Sequence, residues 1–231
     1  RREFVQTATA AGLLATVPAW AQDTQPAPEE LKVAIIGPGS QGRVLINFCL
    51  KIPGIRFVAV CDIWPYHQTY AANILKKYDQ PVNVYEDYRE MLDKERDLDA
   101  VIGATPDWLH AEHAIACMRA GKHVFCEKPL TRTLHESRAL RELAREHKGA
   151  TSMGNQGTAS GQFRRSLELI RNGTLGEIKE VHIWNTGGGA NREEPPKGED
   201  PVPDGFNWDL WLGPAAYRPY NHLWVRRHLW R

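Results

Sequence analysis

"LKVAIIGPGSQG", residues 31–42, sets an apolar run directly against three closely spaced glycines. The run Leu31–Ile36 does not alternate polar with apolar residues, as a strand covered on both faces does not. Glycine then punctuates the chain, and Ser40–Lys51 carries its apolar residues at helical spacing. Working outward, the same alternation continues. Ile55–Cys61 reads as a second strand, Pro65–Tyr78 as a helix, and Val82–Tyr85 as a short strand before a helix through Met91. Ala100–Gly103 is apolar again, Trp108–Ala120 is helical, His123–Cys126 is a strand, and Thr133–His147 is a helix opened by a Thr133/Glu136 capping box. Buried strands alternating with helices predict βαβ units around a doubly wound parallel sheet, an α/β fold over residues 31–150.

Gly37-Pro38-Gly39-Ser40-Gln41-Gly42 is G-x-G-x-x-G, weak alone but here placed between a strand and a helix, with Asp62 ending the next strand twenty residues past Gly42. That context is what a dinucleotide fingerprint requires. Gly37 permits the tight turn, Gly39 lets a pyrophosphate approach the backbone, and Gly42 lets helix pack on strand. The helix N-terminus, with Ser40 and Gln41, then offers unpaired N–H groups to phosphate. Asp62 suits ribose hydroxyls and repels a 2′-phosphate, so NAD is preferred; Arg43 and His67 nearby keep NADP as a second choice.

Two further peptides leave strands on the same side. Ala104-Thr105-Pro106-Asp107 follows one, and Cys126-Glu127-Lys128-Pro129 follows the next. Ligands of open parallel sheets bind beyond the carboxyl ends of the strands. Lys128 is therefore delivered to the cofactor crevice, Pro129 fixes the chain direction after it, and Glu127 is expected to offset its charge. His110 and His113 stand i, i+3 on a helix. Two ligands do not make a zinc site, so they are assigned to capping or cofactor packing, and no metal is expected.

The composition excludes other classes. Among 231 residues, 29 basic and 28 acidic side chains leave a formal charge of +1, which gives no electrostatic case for nucleic acid. The four cysteines show no paired spacing and read as free and buried. Arg1-Arg2, a short apolar stretch Ala8–Val17 and Ala19-Trp20-Ala21 have the pattern of a twin-arginine export signal over residues 1–21, too short to anchor in a bilayer. A Pro- and acid-rich linker follows over residues 22–30. Past Ala150, Gly161–Asn172 reads as a helix and Ile178–Trp184 as a half-covered strand. Trp208, Trp211, Tyr217 and Tyr220 read as core or interface ahead of sugar stacking.

"GPGSQG" (37–42), "CDIW" (61–64), "ATPDWLHAEHAIACMRAGKHVFCEKPLT" (104–131) and "WDLWLGPAAYRPYN" (208–221) together resemble the glucose–fructose oxidoreductase / inositol dehydrogenase (Gfo/Idh/MocA) family. The resemblance implies a Rossmann domain followed, over residues 151–231, by the start of an α/β domain with an open antiparallel sheet through which subunits pair. It implies NAD(P)-dependent hydride transfer to or from a secondary alcohol of a sugar or cyclitol, in the periplasm, or the net-neutral NAD-dependent glycoside hydrolysis of the same family. A nucleotide-binding protein without turnover is the reading outside enzymology. Lys128 would be the catalytic lysine, Thr105 and Pro106 would line the nicotinamide pocket, and Gln156 would sit nearby with Asn155. The family's histidine general base would fall after Arg231, so a C-terminally truncated, inactive fragment with an exposed apolar face is expected.

Overall fold

The computed structural model describes residues 30–184 and 195–225. The expected export signal and most of the linker lie outside the described residues.

Six strands form one parallel sheet in the order β3-β2-β1-β4-β5-β6. They are β1 (Leu31–Ile36), β2 (Ile55–Cys61), β3 (Asn83–Tyr85), β4 (Ala100–Gly103), β5 (His123–Glu127) and β6 (Thr151–Gly154). The helices between them are α1 (Ser40–Cys49), α2 (Pro65–Lys77), α3 (Tyr88–Lys94), α4 (His110–Arg119) and α5 (Leu134–Glu146), followed by α6 (Gly161–Arg171) and a short α7 (Trp208–Leu212). β1 shows why these strands lack polar alternation. Val33 and Ile35 pack in one layer with Ile46 of α1 and Leu75 of α2. Ala34 and Ile36 pack in the other with Met91 of α3, Ala114 of α4 and Leu140 of α5. Every second side chain thus meets a different helical layer, and both must be apolar. Phe57 of β2 is fully buried in the first layer.

The strand order reverses at β1, which lies between β2 and β4. Segments leaving β1 and β4 at their carboxyl ends diverge there and open a crevice. The Thr133/Glu136 capping box forms at α5 as expected. All four cysteines are free, three of them buried and Cys49 half-buried.

Two differences from the sequence reading stand out beyond β5. β6 pairs in parallel with β5 from Val124↔Thr151 to Glu127↔Gly154 and was not among the expected elements; the boundary drawn at Ala150 falls one residue before it. Ile178–Trp184, expected as a strand, has no regular structure and is exposed throughout. Its alternation is genuine, but a strand exists only where another edge accepts its backbone donors and acceptors, and none does so among the described residues. The expected antiparallel sheet is likewise absent among them. Val181, Ile183 and Trp184 in this stretch all stand in solvent, Trp184 at 81%.

Candidate active site

A cleft of about 980 Å³ opens at the carboxyl ends of β1, β2, β4 and β5. Gly37, Gly39, Ser40 and Gln41 line it, together with Asp62, Thr105, Pro106, Glu127 and Lys128. The glycines behave as the fingerprint requires. Gly37 has φ +85°, and a Cβ there would meet Thr105 at 2.8 Å. A Cβ on Gly42 would sit 2.3 Å from the Gly37 carbonyl oxygen, so this glycine holds helix against turn and lies behind the cleft wall. A Cβ on Gly39 would meet only His67, at 3.6 Å, so the backbone at the helix entrance is open to a ligand. Gly39 caps α1 with no side-chain hydrogen bond, leaving the first N–H groups of the helix unpaired toward the cleft. The chain thus offers a cradle, a carboxylate and a volume that fit a dinucleotide.

At the β2 end, Asp62 accepts from the Trp64 N–H at 2.8 Å through one oxygen and faces His67 Nδ1 at 3.2 Å through the other. An ionised carboxylate has about four acceptor sites, so capacity for ribose hydroxyls remains. Glu86, Asp87 and Glu112 add carboxylates to the cleft lining. The nearby cations already have partners. Arg43 lies over the Tyr70 ring at 3.6 Å, and Arg89 bonds Glu112 at 2.6 Å and Asp87 at 3.3 Å.

At the β5 end the arrangement departs from expectation. Glu127 does not offset Lys128. The carboxylate is buried and turned inward, where it accepts from Gln41 Nε2 at 2.8 Å, from Gln156 Nε2 in a short contact, and from the Lys128 backbone N–H at 3.0 Å. Donors from three segments satisfy it more fully than one flexible ammonium. Lys128 is left exposed on the cleft wall with no ion pair among the described residues. The side chains of Gln41 and Gln156, expected as cofactor contacts, are thereby committed to Glu127; Gln156 and Pro129 do not line the cleft. The Lys128–Pro129 bond is cis.

His110, expected as a cofactor contact, is buried behind the wall instead. Its Nδ1 faces the Pro129 carbonyl at 2.6 Å and its Nε2 the Thr105 carbonyl at 2.8 Å, so it ties the loop after β4 to the loop after β5. His113 does reach the lining and meets Thr105 Oγ1 at 3.2 Å. Burial first, then the neighbouring His110 and Arg89, lower its pKa to about 3, so the ring is neutral near pH 7. Burial pushes the Cys117 and Cys126 thiols up to about 12, which removes them as nucleophiles. No group of metal-ligating side chains occurs among the described residues.

The far wall of the cleft is built by Phe206, Asp209, Leu210 and Trp211; sequence reasoning singled out Trp211 and the 208–221 stretch but not their place across the cofactor cleft. Phe206, Trp208, Leu212 and Tyr220 form a small core that packs on Ile63 and Trp64. The core reading therefore holds for Trp208 and Tyr220, while Tyr217 is exposed. The aromatic pattern marks the segment, but its position across the cleft is a tertiary fact.

The family profile of the Gfo/Idh/MocA oxidoreductases, described as an oxidoreductase family with an NAD-binding Rossmann fold, matches residues 31–155, the span that forms the sheet and most of the cleft. The chain belongs to this family. Its cofactor is NAD. Among curated relatives, this Gfo/Idh/MocA chain is 31% identical over 158 residues to a glycosyl hydrolase family 109 protein of Shewanella amazonensis, covering 66% of this chain and 34% of that protein. It is 30% identical over 154 residues to an inositol 2-dehydrogenase of Serratia proteamaculans, covering 66% and 44%. Among solved structures, a myo-inositol 2-dehydrogenase from Lactobacillus plantarum superposes with a TM-score of 0.60 at 29% identity, covering 65% and 43%. The chain thus spans less than half the length of these relatives.

Proposed function

We propose that this chain belongs to an NAD-dependent oxidoreductase that interconverts a secondary alcohol of a sugar or cyclitol and the corresponding ketone. The observation that carries the reading is Lys128, exposed in the same cleft that Gly37, Gly39 and Asp62 line. When bound, NAD supplies the hydride acceptor. The chain's own residues do the rest. The N–H groups opening α1 hold the pyrophosphate, and Asp62 accepts from the adenosine ribose while discouraging a 2′-phosphate. Thr105 and Pro106 form the wall between the glycine turn and Lys128. As the C–H hydride leaves for the nicotinamide, the Lys128 ammonium hydrogen-bonds the oxygen on which negative charge develops. The hydroxyl proton leaves through it to water in the open cleft, as the amine gives up one N–H proton in exchange. Glu127 fixes the backbone from which that amine projects.

The test is a fluorescence titration of the chain with NADH, followed by NADH formation by a full-length version on a panel of inositols and free sugars. Lys128→Ala is expected to leave NADH affinity within a few-fold of the parent and to lower turnover about 10²–10⁴-fold, the usual range for a lost proton-transfer group. Unchanged turnover would remove Lys128 from the chemistry. A second reading is favoured by the family 109 relatives, namely NAD-dependent glycoside hydrolysis. It predicts release of an aryl leaving group from aryl glycosides with no net NADH.

The reading extends to location and assembly. Export to the periplasm by the twin-arginine route is supported by Arg1-Arg2 and the segment behind it, and fusion of residues 1–30 to a reporter tests it. Self-association is supported by the exposed Val181, Ile183 and Trp184, and sedimentation at increasing protein concentration tests that.

A further inference from the structure

The wall formed by residues 205–213 is seated on a small core of its own, where Phe206, Trp208, Leu212 and Tyr220 pack on Ile63 and Trp64, and is tied at both ends to the cleft rim. It runs from the β2 side of the crevice to the β4 side, and each end has its own catch. On the first side Phe206 meets the Trp64 ring edge-on at 5.3 Å, and Asn207 Nδ2 donates to Glu86 Oε1 at 2.7 Å. On the second, Trp108 Nε1 donates to the Trp211 carbonyl at 3.2 Å, and the two indoles meet at 4.9 Å. Between the catches, Asp209, Leu210 and Trp211 line the cleft opposite the glycine turn. The segment begins and ends on glycines with positive φ, Gly205 at +73° and Gly213 at +52°. Glycine at both ends tolerates backbone angles that other residues resist, as a hinge requires, although both glycines also sit close to neighbours, Gly205 to Pro65 and Gly213 to Leu109.

We propose that residues 205–213 are a strap across the dinucleotide cleft, and that its two catches, Asn207 on Glu86 and Trp108 on Trp211, set how fast the cofactor leaves. This rests on the reading of the cleft as the NAD site. A ligand lying along the glycine turn from Asp62 to Thr105 is covered from the opposite side by Phe206, Leu210 and Trp211. It departs only when one catch opens. Capture needs a single closing event, whereas release has to break catches reinforced by contact with the ligand, so the effect falls mainly on dissociation.

Two variants open the catches without touching the cleft lining. Asn207→Asp keeps an oxygen to cap α7, where Asn207 Oδ1 accepts from the Leu210 N–H at 3.0 Å, but sets carboxylate against carboxylate at Glu86. Trp108→Phe keeps a ring and removes the indole donor. Bound NADH is displaced with excess NAD in a stopped-flow fluorimeter, using the full chain. Each variant is expected to release NADH about tenfold faster, as loss of a hydrogen bond to a charged or buried partner implies, with association changed far less. Hydrogen exchange on the unaltered chain gives an independent reading: the amides of 206–213 slow when NADH is added. Release rates equal to the parent in both variants, or exchange at 206–213 indifferent to NADH, would overturn the strap while leaving the NAD site intact. If the unaltered chain binds no NADH at all, the reading of the cleft fails, and the strap with it.

Discussion

Leu45 on α1 and Leu167 on α6 begin from the same local facts. Each sits on an amphipathic helix, yet Leu45 is 7% exposed and Leu167 is 36% exposed. α1 buries Gly42, Leu45 and Ile46 against the sheet, while α6 buries no residue and leaves Phe163, Leu169 and Ile170 in solvent as well. The difference lies in what faces each helix. Periodicity declares that a helix has an apolar side, but only the fold decides whether anything covers it.

The comparison can be broken most sharply at the core. Phe57→Ala is expected to cost about 3–5 kcal/mol of unfolding free energy, since it empties a fully buried site between β2 and its helices. Urea denaturation followed by circular dichroism measures it, and a loss under 1 kcal/mol would mean the sheet half is looser than it looks. Gly42→Ala comes next, at about 1–3 kcal/mol, because the new methyl drives into the Gly37 carbonyl and backbone cannot step aside. NADH affinity should fall with it, and intact affinity would show that helix and turn have room to separate. Glu127→Gln should cost about 1–3 kcal/mol, since an NH2 replaces one of the two acceptor oxygens and would face either the Lys128 N–H or the amide donors of Gln41 and Gln156.

Acidity probes the same contrast. His113 has a folded pKa near 3 against an ordinary 6.5, so below 6.5 the unfolded chain takes up a proton that the folded chain refuses. Stability therefore falls as pH drops from 6.5 toward 3, with a slope approaching about 1.4 kcal/mol per pH unit from this residue. His113→Gln should flatten that slope in denaturation series run between pH 4.5 and 7. The smallest effect belongs to the other region: Leu167→Ser on α6 should change stability by no more than about 0.5 kcal/mol, as exposed substitutions do. A larger loss would reveal a partner surface for that helix.

Much of the sheet half was legible because its signals are local. An unalternating strand, a glycine turn and an acid at the end of the next strand occur in sequence order, and the switch point at β1 gathers them without help from distant residues. β6 escaped because Thr151–Gly154 is short and, apart from Gly154, exposed, so composition gave no sign that it completes the sheet. Ile178–Trp184 misled for the opposite reason, since its alternation promised a pairing that the described residues do not provide. At the site, residue types were legible and pairings were not. Lys128 and Glu127 adjoin in sequence, and adjacency suggested an ion pair; burial turned the carboxylate toward two glutamines instead.

Glu127 has a further consequence for how this protein tolerates change. One carboxylate gathers the helix that opens at the glycine turn, the loop that bears Lys128 and the turn after β6, so Gln41, Glu127 and Gln156 will show strong epistasis. Replacing any one should forfeit most of what replacing all three forfeits. A lineage altering this corner has to substitute them together.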